Sequence, residues 1–377
     1  MFFLRPRLLK FTLSLFSILV VAPLAISKDF KTEKYPVRVE AVLSGLQNPW
    51  GFCFNEDKIL ITLKTGKLVI FDRKTGKSRR FEVDLPVTSR GQGGLLDVLC
   101  GKAAFGDDRV FLTFSHDMGS KNTTSLATAK ITPEGLTGIK ILFSASPAEN
   151  SGLHFGSRIR FGGDGMLYMS VGERGNKPKA QTKKDHGGKI IRLRPDGSVP
   201  DDNPFRKDTA YFAEIYSLGH RNPQGMAVDP VTGEIWTSEH GAMGGDEINR
   251  IMPGKNYGWP LVTYGKDYDG SKIGSGTSAP GIEQPVHYWD PSIAPAGMDF
   301  YTGKLFPGWK NNLFVTALKY QLIARLELSN GKVVKEERLF AGEFGRRRDV
   351  KTTPEGTLMF ITDSPAGALY EVSPGKK

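Results

Sequence analysis

Asp57–Gly76 reads DKILITLKTGKLVIFDRKTG: a turn residue, a run of Ile and Leu, a polar Lys-Thr-Gly turn, a second apolar run, and a closing turn at Gly76. β-Branched and aromatic residues between such punctuation are the pattern of a tight antiparallel strand pair. Five further segments follow the same plan: Asp108–Glu134, Asp164–Gly197, Gly233–Gly254, Asn311–Gly331 and Glu355–Gly375. Their starts lie 51, 56, 69, 78 and 44 residues apart. Recurrence at this scale, without any long 3.6-residue apolar period, predicts an all-β chain: a six-bladed β-propeller with four-stranded antiparallel blades. The longer third and fourth intervals predict loops inserted on one face. A pair of β-sandwiches accounts for the strands but not for the six-fold recurrence.

A ring of sheets must leave no open edge. Val37–Leu43 is a strand-like run ahead of the first repeat, and it is expected to pair into the blade that holds Glu355–Pro374. At 377 residues, 39% hydrophobic and 24% charged, the chain has the composition of an ordinary globule; 44 glycines and 23 prolines favour many turns.

Arg5, Arg7 and Lys10 precede an apolar run, Phe11–Ala25, that ends in the small-residue stretch Ala25-Ile26-Ser27. This is the plan of an export signal cleaved after Ser27, which leaves 28–377 as a single propeller domain in the periplasm. The apolar run has about 15 residues, short of the roughly 20 of a membrane-spanning helix, so no stable membrane insertion is expected. Loss of the signal lowers the net charge by three, from +11 to +8. The one dense basic run, Arg346-Arg347-Arg348, is closed by Asp349; that is too small a footprint for nucleic acid. Cys53 and Cys100 either pair, as an oxidising compartment allows, or remain two buried thiols. There is no zinc spacing, P-loop, dinucleotide fingerprint or nucleophile elbow.

Residues suited to chemistry gather in Glu214–Pro260, EIYSLGHRNPQGMAVDPVTGEIWTSEHGAMGGDEINRIMPGKNYGWP. Arg221, Asn222 and Gln224 share one loop. Glu239, His240, a glycine-rich turn, Asp246 and Glu247 follow. Outside it, His154 stands at a strand start behind the turn Asn150-Ser151-Gly152, where it can reach a propeller axis and act as a general base or simply be hydrogen-bonded in place. His220 and His240 read as structural or supporting. Arg221, Lys319, Arg346 and Arg348 form a scattered cationic set; the last two, two apart in a strand, face the same way. Guanidinium groups pair with carboxylates, so the set suits a polyanionic ligand. Glu247, Asp267 and Glu283, with carbonyls of the glycine-rich turn, are hard oxygen donors of the kind Ca²⁺ takes, although their spacing is not that of an EF-hand. Gln92, in GQGGLLD, offers a polar side chain at the start of a strand.

Together, NPWGF, GQGGLLDV, HFGSRIRF, DGSVPDDNPF, GHRNPQG, EHGAMGGDEIN, GKNYGWP, PSIAPAGM and RRRDV run in order over nearly the whole chain beyond the signal. The series resembles the soluble quinoprotein sugar dehydrogenases, closest to the periplasmic aldose sugar dehydrogenase branch of the glucose/sorbosone dehydrogenase family. The resemblance implies a six-bladed propeller that uses pyrroloquinoline quinone (PQQ) and Ca²⁺ to oxidise aldoses at the anomeric carbon to lactones. It implies His154 as the base for the anomeric hydroxyl and Arg221 as the group stabilising developing charge. Gln92, Arg221, Asn222, Lys319, Arg346 and Arg348 are implied to hold the quinone. Carbonyls of Gly241 and Ala242 are implied for a catalytic Ca²⁺, and Glu247, the Tyr257 carbonyl, Asp267 and Glu283 for a second, structural one.

Four departures stand out. Ala242 replaces a common Pro, Ala296 a usual Ser, and Arg347 an apolar residue. Leu153 stands where the glucose-specialised branch has an Asp, which leaves the base without a neighbouring carboxylate and predicts a broad aldose range. The residues do not specify the electron acceptor. Two other readings remain open: a non-catalytic sugar-binding propeller and a Ca²⁺-dependent, lactonase-type hydrolase. The second of these has no need for Lys319, Arg346 and Arg348 together.

Overall fold

The computed structural model describes residues 27–376; all but the last residue of the expected export segment lies outside them. Six antiparallel sheets make up the fold, five of four strands and one of five. Each sequence repeat is the middle hairpin of one blade. Asp57–Gly76 contains Lys58–Leu63 and Lys67–Asp72, flanked in the first blade by Pro49–Asn55 on the inside and Ser78–Glu82 on the outside. The inner strands of the next five blades are Leu95–Cys100, Ile159–Phe161, Pro223–Val228, Pro295–Phe300 and Arg347–Thr352. One four-residue α-helix, Lys102–Phe105, and two short 3-10 turns are the helical segments among the described residues.

Ring closure follows the expectation and adds to it. Pro36–Leu46 pairs antiparallel with Gly367–Pro374, in a register that runs from Val37 opposite Pro374, through Leu43 opposite Leu369, to Leu46 opposite Gly367. Ser27–Lys31 then adds a fifth strand outside Pro36–Leu46. The N-terminal strands thus cover the edge that the last blade would otherwise expose.

The middle strands are buried on both sides, because neighbouring blades cover both faces of each sheet. Leu167–Val171, Ile235–Glu239 and Leu358–Thr362 are buried throughout; this is why they read as continuous apolar runs rather than alternating ones. Between the fourth and fifth blades Trp236 meets Phe300 edge-on at 5.7 Å. Cys53 and Cys100, on the inner strands of the first two blades, form a disulfide, which decides between the two readings of these cysteines.

The insertions do not all lie on one face. Successive antiparallel strands place their connections at alternate ends, so 172–188 and 194–214 of the third blade lie at opposite ends. The long segment 251–286 of the fourth blade begins at the far end and climbs beside the ring. There the Leu218 N–H donates to the Lys255 carbonyl at 3.0 Å, the Trp259 N–H to Gly219 at 2.9 Å and the Met243 N–H to Lys266 at 2.9 Å.

Candidate active site

One end of the propeller collects the loops that enter each inner strand and those that join each second strand to the third. His154, Arg221 and Arg346 come from the first kind; Lys64, His240, Lys319 and Asp363 come from the second. This placement brings together residues far apart in the chain on a rigid scaffold.

His154 sits in a left-handed turn, φ 46°. Its carbonyl passes so close to Gly172 that a Cβ there would lie 2.2 Å from it, so residue 172 has to be glycine. Its N–H donates to Gln92 Oε1 at 2.8 Å. Its Nδ1 lies 3.0 Å from Glu173 Oε1, within ion-pair distance although not aligned as a hydrogen bond, and the Glu173 side chain is 1% exposed. The expectation that Leu153 leaves the base without a carboxylate is therefore corrected: the partner comes from another loop of the same blade, in VGERG, and Leu153 itself is half exposed. Arg174 secures the turn by donating to the carbonyls of Leu153 and Ser151 and to Asn122 Oδ1. Its guanidinium stacks over Phe155 at 3.5 Å.

Arg221 is held from below. Its N–H donates to Glu239 Oε2 at 2.7 Å, and Glu239 Oε1 meets His220 Nδ1 at 2.9 Å and accepts from Asn249 Nδ2 at 3.0 Å. The guanidinium lies 5.3 Å from the Trp259 ring centre and within 3.4 Å of the His240 carbonyl. His220 is thus supporting, as expected. His240 is different, because it lines the cavity on the axis. Burial, followed by the charges of Arg221 and Arg348, pushes its imidazole down to about 3. It stays neutral, with Nε2 2.8 Å from the Pro295 carbonyl.

That cavity, about 240 Å³, is lined by Gln92, Asn222, Gln224, Arg346 and Arg348 together with two residues that sequence reasoning missed, Lys64 and Asp363. Arg348 donates to Gln224 Oε1 at 2.9 Å and to Asp363 Oδ2 at 2.6 Å; Arg346 reaches the same carboxylate oxygen at 3.5 Å. Burial opposes ionisation of Asp363, but Arg348, then Arg346 and Lys64, outweigh it and hold the carboxyl down at about 2. Lys319 is on the rim, with its side chain exposed and its ammonium 5.1 Å from the Tyr320 ring centre; it is not part of the lining. The buried Nε atoms of Arg221 and Arg348 have no hydrogen-bond partner. Three cations around one acid, with donor atoms left over, match an anionic ligand such as a polycarboxylate quinone.

The calcium residues are only partly assembled. Gly241 and Ala242 follow His240 in the turn beside Arg221, and the Gly241 N–H donates to Asp246 Oδ1 at 2.8 Å. Gly241, Glu239, Glu247 and Tyr257 border one void of about 10 Å³. Burial, then the neighbouring Glu239, pushes the Glu247 carboxyl up to about 8. Two desolvated acids beside carbonyl oxygens are a donor set that a cation would stabilise. Asp267, by contrast, bonds Lys177 at the surface. Glu283 pairs with Lys255 at 2.8 Å, although its N–H reaches the Asn256 carbonyl next to Tyr257. Among the described residues no group of three or more His, Cys, Asp or Glu is arranged to hold a metal ion.

The profile described as glucose/sorbosone dehydrogenase matches residues 46–371. The chain belongs to the glucose/sorbosone dehydrogenase family. It is 38% identical over 366 residues to the aldose sugar dehydrogenase YliI of Escherichia coli K12, covering 95% of this chain and 98% of that one. Among solved structures it resembles the soluble aldose sugar dehydrogenase of Escherichia coli in its apo-form, with TM-score 0.86, 39% identity, and 90% and 100% of the two chains covered. It also resembles the PQQ-bound aldose sugar dehydrogenase of Streptomyces coelicolor, with TM-score 0.74, 27% identity, and 93% and 98% covered. Membership of the glucose/sorbosone dehydrogenase family makes the chain an oxidoreductase. No helix among the described residues is long and apolar enough to cross a membrane.

Proposed function

We propose that this chain is a periplasmic, PQQ- and Ca²⁺-dependent dehydrogenase that oxidises aldose sugars at the anomeric carbon to lactones. The observation that carries the reading is the cation-rich cavity on the axis, with the Arg348 Nε unpartnered, next to the His154–Glu173 pair. A lactonase-type hydrolase has no use for that cavity, and a passive sugar binder has no use for the pair. The PQQ-bound state of a structural relative supports the choice of quinone. The disulfide suits an oxidising compartment.

When bound, PQQ supplies the hydride acceptor and Ca²⁺ the Lewis acid that polarises it. Gln92, Arg221, Asn222, Arg346 and Arg348 would hold the quinone, Lys319 would reach it from the rim, and the carbonyls of Gly241 and Ala242 would hold the ion. Glu247, Tyr257, Asp267 and Glu283 would hold a second, structural ion once Asp267 and Glu283 release their lysine partners. Glu173 favours the imidazole tautomer with its proton on Nδ1, which leaves His154 Nε2 to take the proton of the anomeric hydroxyl. Glu173 also stabilises the imidazolium that results. Arg221, fixed by Glu239 and Trp259, presents positive charge where negative charge develops. His240, kept neutral, adds no charge to the cavity.

The test is reconstitution. Protein freed of cofactor by dialysis against a chelator should be inactive toward a panel of aldoses with an artificial electron acceptor, and PQQ with Ca²⁺ should restore turnover. Sugar oxidation that survives the chelator unchanged would reject the reading.

A further inference from the structure

Lys64 belongs to the turn between the two strands of the repeat that reveals the fold, and nothing in its sequence context marks it as a ligand residue. In the structure it lines the axial cavity beside Arg346, Arg348 and Asp363. Its ammonium donates to the Gly91 carbonyl at 3.2 Å, and Ser89 Oγ donates to its own carbonyl at 2.8 Å. These bonds hold the turn against the loop that carries Gln92. Gly94 allows the approach: a Cβ there would lie 2.4 Å from the Lys64 carbonyl oxygen.

Three cations thus share a single acid, and that acid gives its closest contact, 2.6 Å, to Arg348 and not to Lys64. Lys64 has no carboxylate of its own and faces two arginines. We propose that Lys64 is a further anchor for an anionic cofactor in the axial cavity, and that filling the cavity places a full proton on its Nζ. The proposal rests on the quinone reading above and adds a residue and a proton to it.

The charged and titratable groups facing Lys64 are Arg346, Arg348 and Asp363 of the last blade; His240, also on the cavity wall, is neutral. Burial, then repulsion from Arg348, lowers the Lys64 pKa below the ordinary lysine value, with Asp363 pulling the other way. In the empty protein Lys64 therefore begins to lose its proton at a lower pH than a free lysine. Carboxylates entering the cavity offset both arginines and attract the ammonium, so the bound state raises the Lys64 pKa again. Binding then draws up a proton wherever Lys64 is partly neutral, and affinity falls as pH rises through that range.

The experiment is a titration with PQQ, in Ca²⁺-containing buffer between pH 7 and 10, of wild type, Lys64→Met and Lys64→Arg. Bound PQQ is read by its absorbance and thermal unfolding checks each fold. Loss of a charge-assisted contact should make Lys64→Met bind about 10- to 100-fold more weakly at pH 7, roughly 1.4–2.8 kcal/mol at about 1.4 kcal/mol per tenfold. Lys64→Arg should keep most of the affinity. Its guanidinium does not titrate, so it reports the cofactor's own pH dependence, and wild type should fall away from it as pH rises. A folded Lys64→Met that binds like wild type overturns the anchor, and superposed wild-type and Lys64→Arg curves overturn the proton. Wild type that binds no PQQ removes the quinone reading itself, and this proposal with it.

Discussion

Two sets of charge adjoin on the propeller axis, and they are composed differently. In one, Arg158 lies 3.1 Å from Asp97 and 3.0 Å from Asp349, Arg160 reaches Asp97 at 3.2 Å, and Lys351 reaches Asp349 at 3.4 Å. With the half-buried Asp299, three acids there face three cations. Glycines on the inner strands make room: a Cβ at Gly51 would lie 2.4 Å from Asp97 Oδ1, and one at Gly297 2.0 Å from Asp349 Oδ1. Burial opposes the ionisation of Asp97, yet Arg158 and then Arg160 keep its carboxyl below the usual range. In the other set, Lys64, Arg346 and Arg348 face Asp363 alone. The two meet where Arg158 donates to the carbonyls of Gln224, at 3.0 Å, and of Arg348, at 3.4 Å. A charge cluster that serves the fold neutralises itself. One that serves a ligand leaves its charge unmatched until the ligand arrives.

The comparison breaks first at Arg158. Arg158→Met leaves two fully buried carboxylates short of a cation, and stripping a partner from a buried pair costs about 3–5 kcal/mol. Denaturant unfolding should show a loss of that order. Arg346→Ala removes a half-exposed member of the other set, so stability should stay within about 0.5 kcal/mol of wild type while PQQ affinity drops. Equal stability losses in the two variants would erase the distinction.

The next largest effect belongs to the chemistry beside the cation-rich set. His154→Ala, assayed at saturating PQQ, should slow turnover about 10²–10⁴-fold, the usual cost of a lost general base. Cofactor affinity should barely change. Near-normal turnover at saturation would return His154 to a structural role. Glu173→Gln keeps the shape but removes the charge that orients the imidazole. Outer-shell losses of this kind run to about 10–100-fold, so kcat should fall by that much with KM for the sugar little moved. An effect confined to KM would show that Glu173 positions substrate rather than the base.

How far these residues could be read beforehand follows the same division. The blade hairpins were legible because both faces of their strands are buried, so Lys58–Leu63 beyond its first residue and Leu313–Ala317 are apolar runs interrupted only by Thr62 and Thr316. Ring closure by Val37–Leu43 was legible from the need to cover an edge. The placement of His154 and Arg221 on loops at one end of the ring was legible because they lie in glycine-punctuated motifs. Glu173, Lys64 and Asp363 were not. Each is an ordinary charged residue in an ordinary turn, and its meaning comes from a partner on another loop: His154, 19 positions away in the same blade, for Glu173, and a residue of a different blade, nearly 300 positions away, for Lys64 and Asp363. The placement of the insertions was misjudged for a related reason. Their lengths show in the sequence, but the end of the blade from which each departs depends on strand parity.

The smallest expected effect, and the sharpest probe of the unmatched set, is at Asp363. Its carboxyl is held at about 2, below the ordinary aspartate value, so its contribution to stability is fully present above about pH 4 and is lost as pH falls through about 2. At 1.36 kcal/mol per pKa unit, the depression corresponds to about 1–2 kcal/mol once residual solvent contact is allowed for. Asp363→Asn, free of cofactor, should therefore be less stable than wild type by about that amount at pH 7. The gap should close between about pH 4 and pH 2, because the wild type itself becomes neutral there. The same change leaves three cations with no acid, so affinity for an anionic cofactor should hold or rise. An Asp363→Asn protein that loses both stability and PQQ affinity would place Asp363 among the residues that build the binding geometry, and the cavity would then be a self-neutralising cluster like its neighbour.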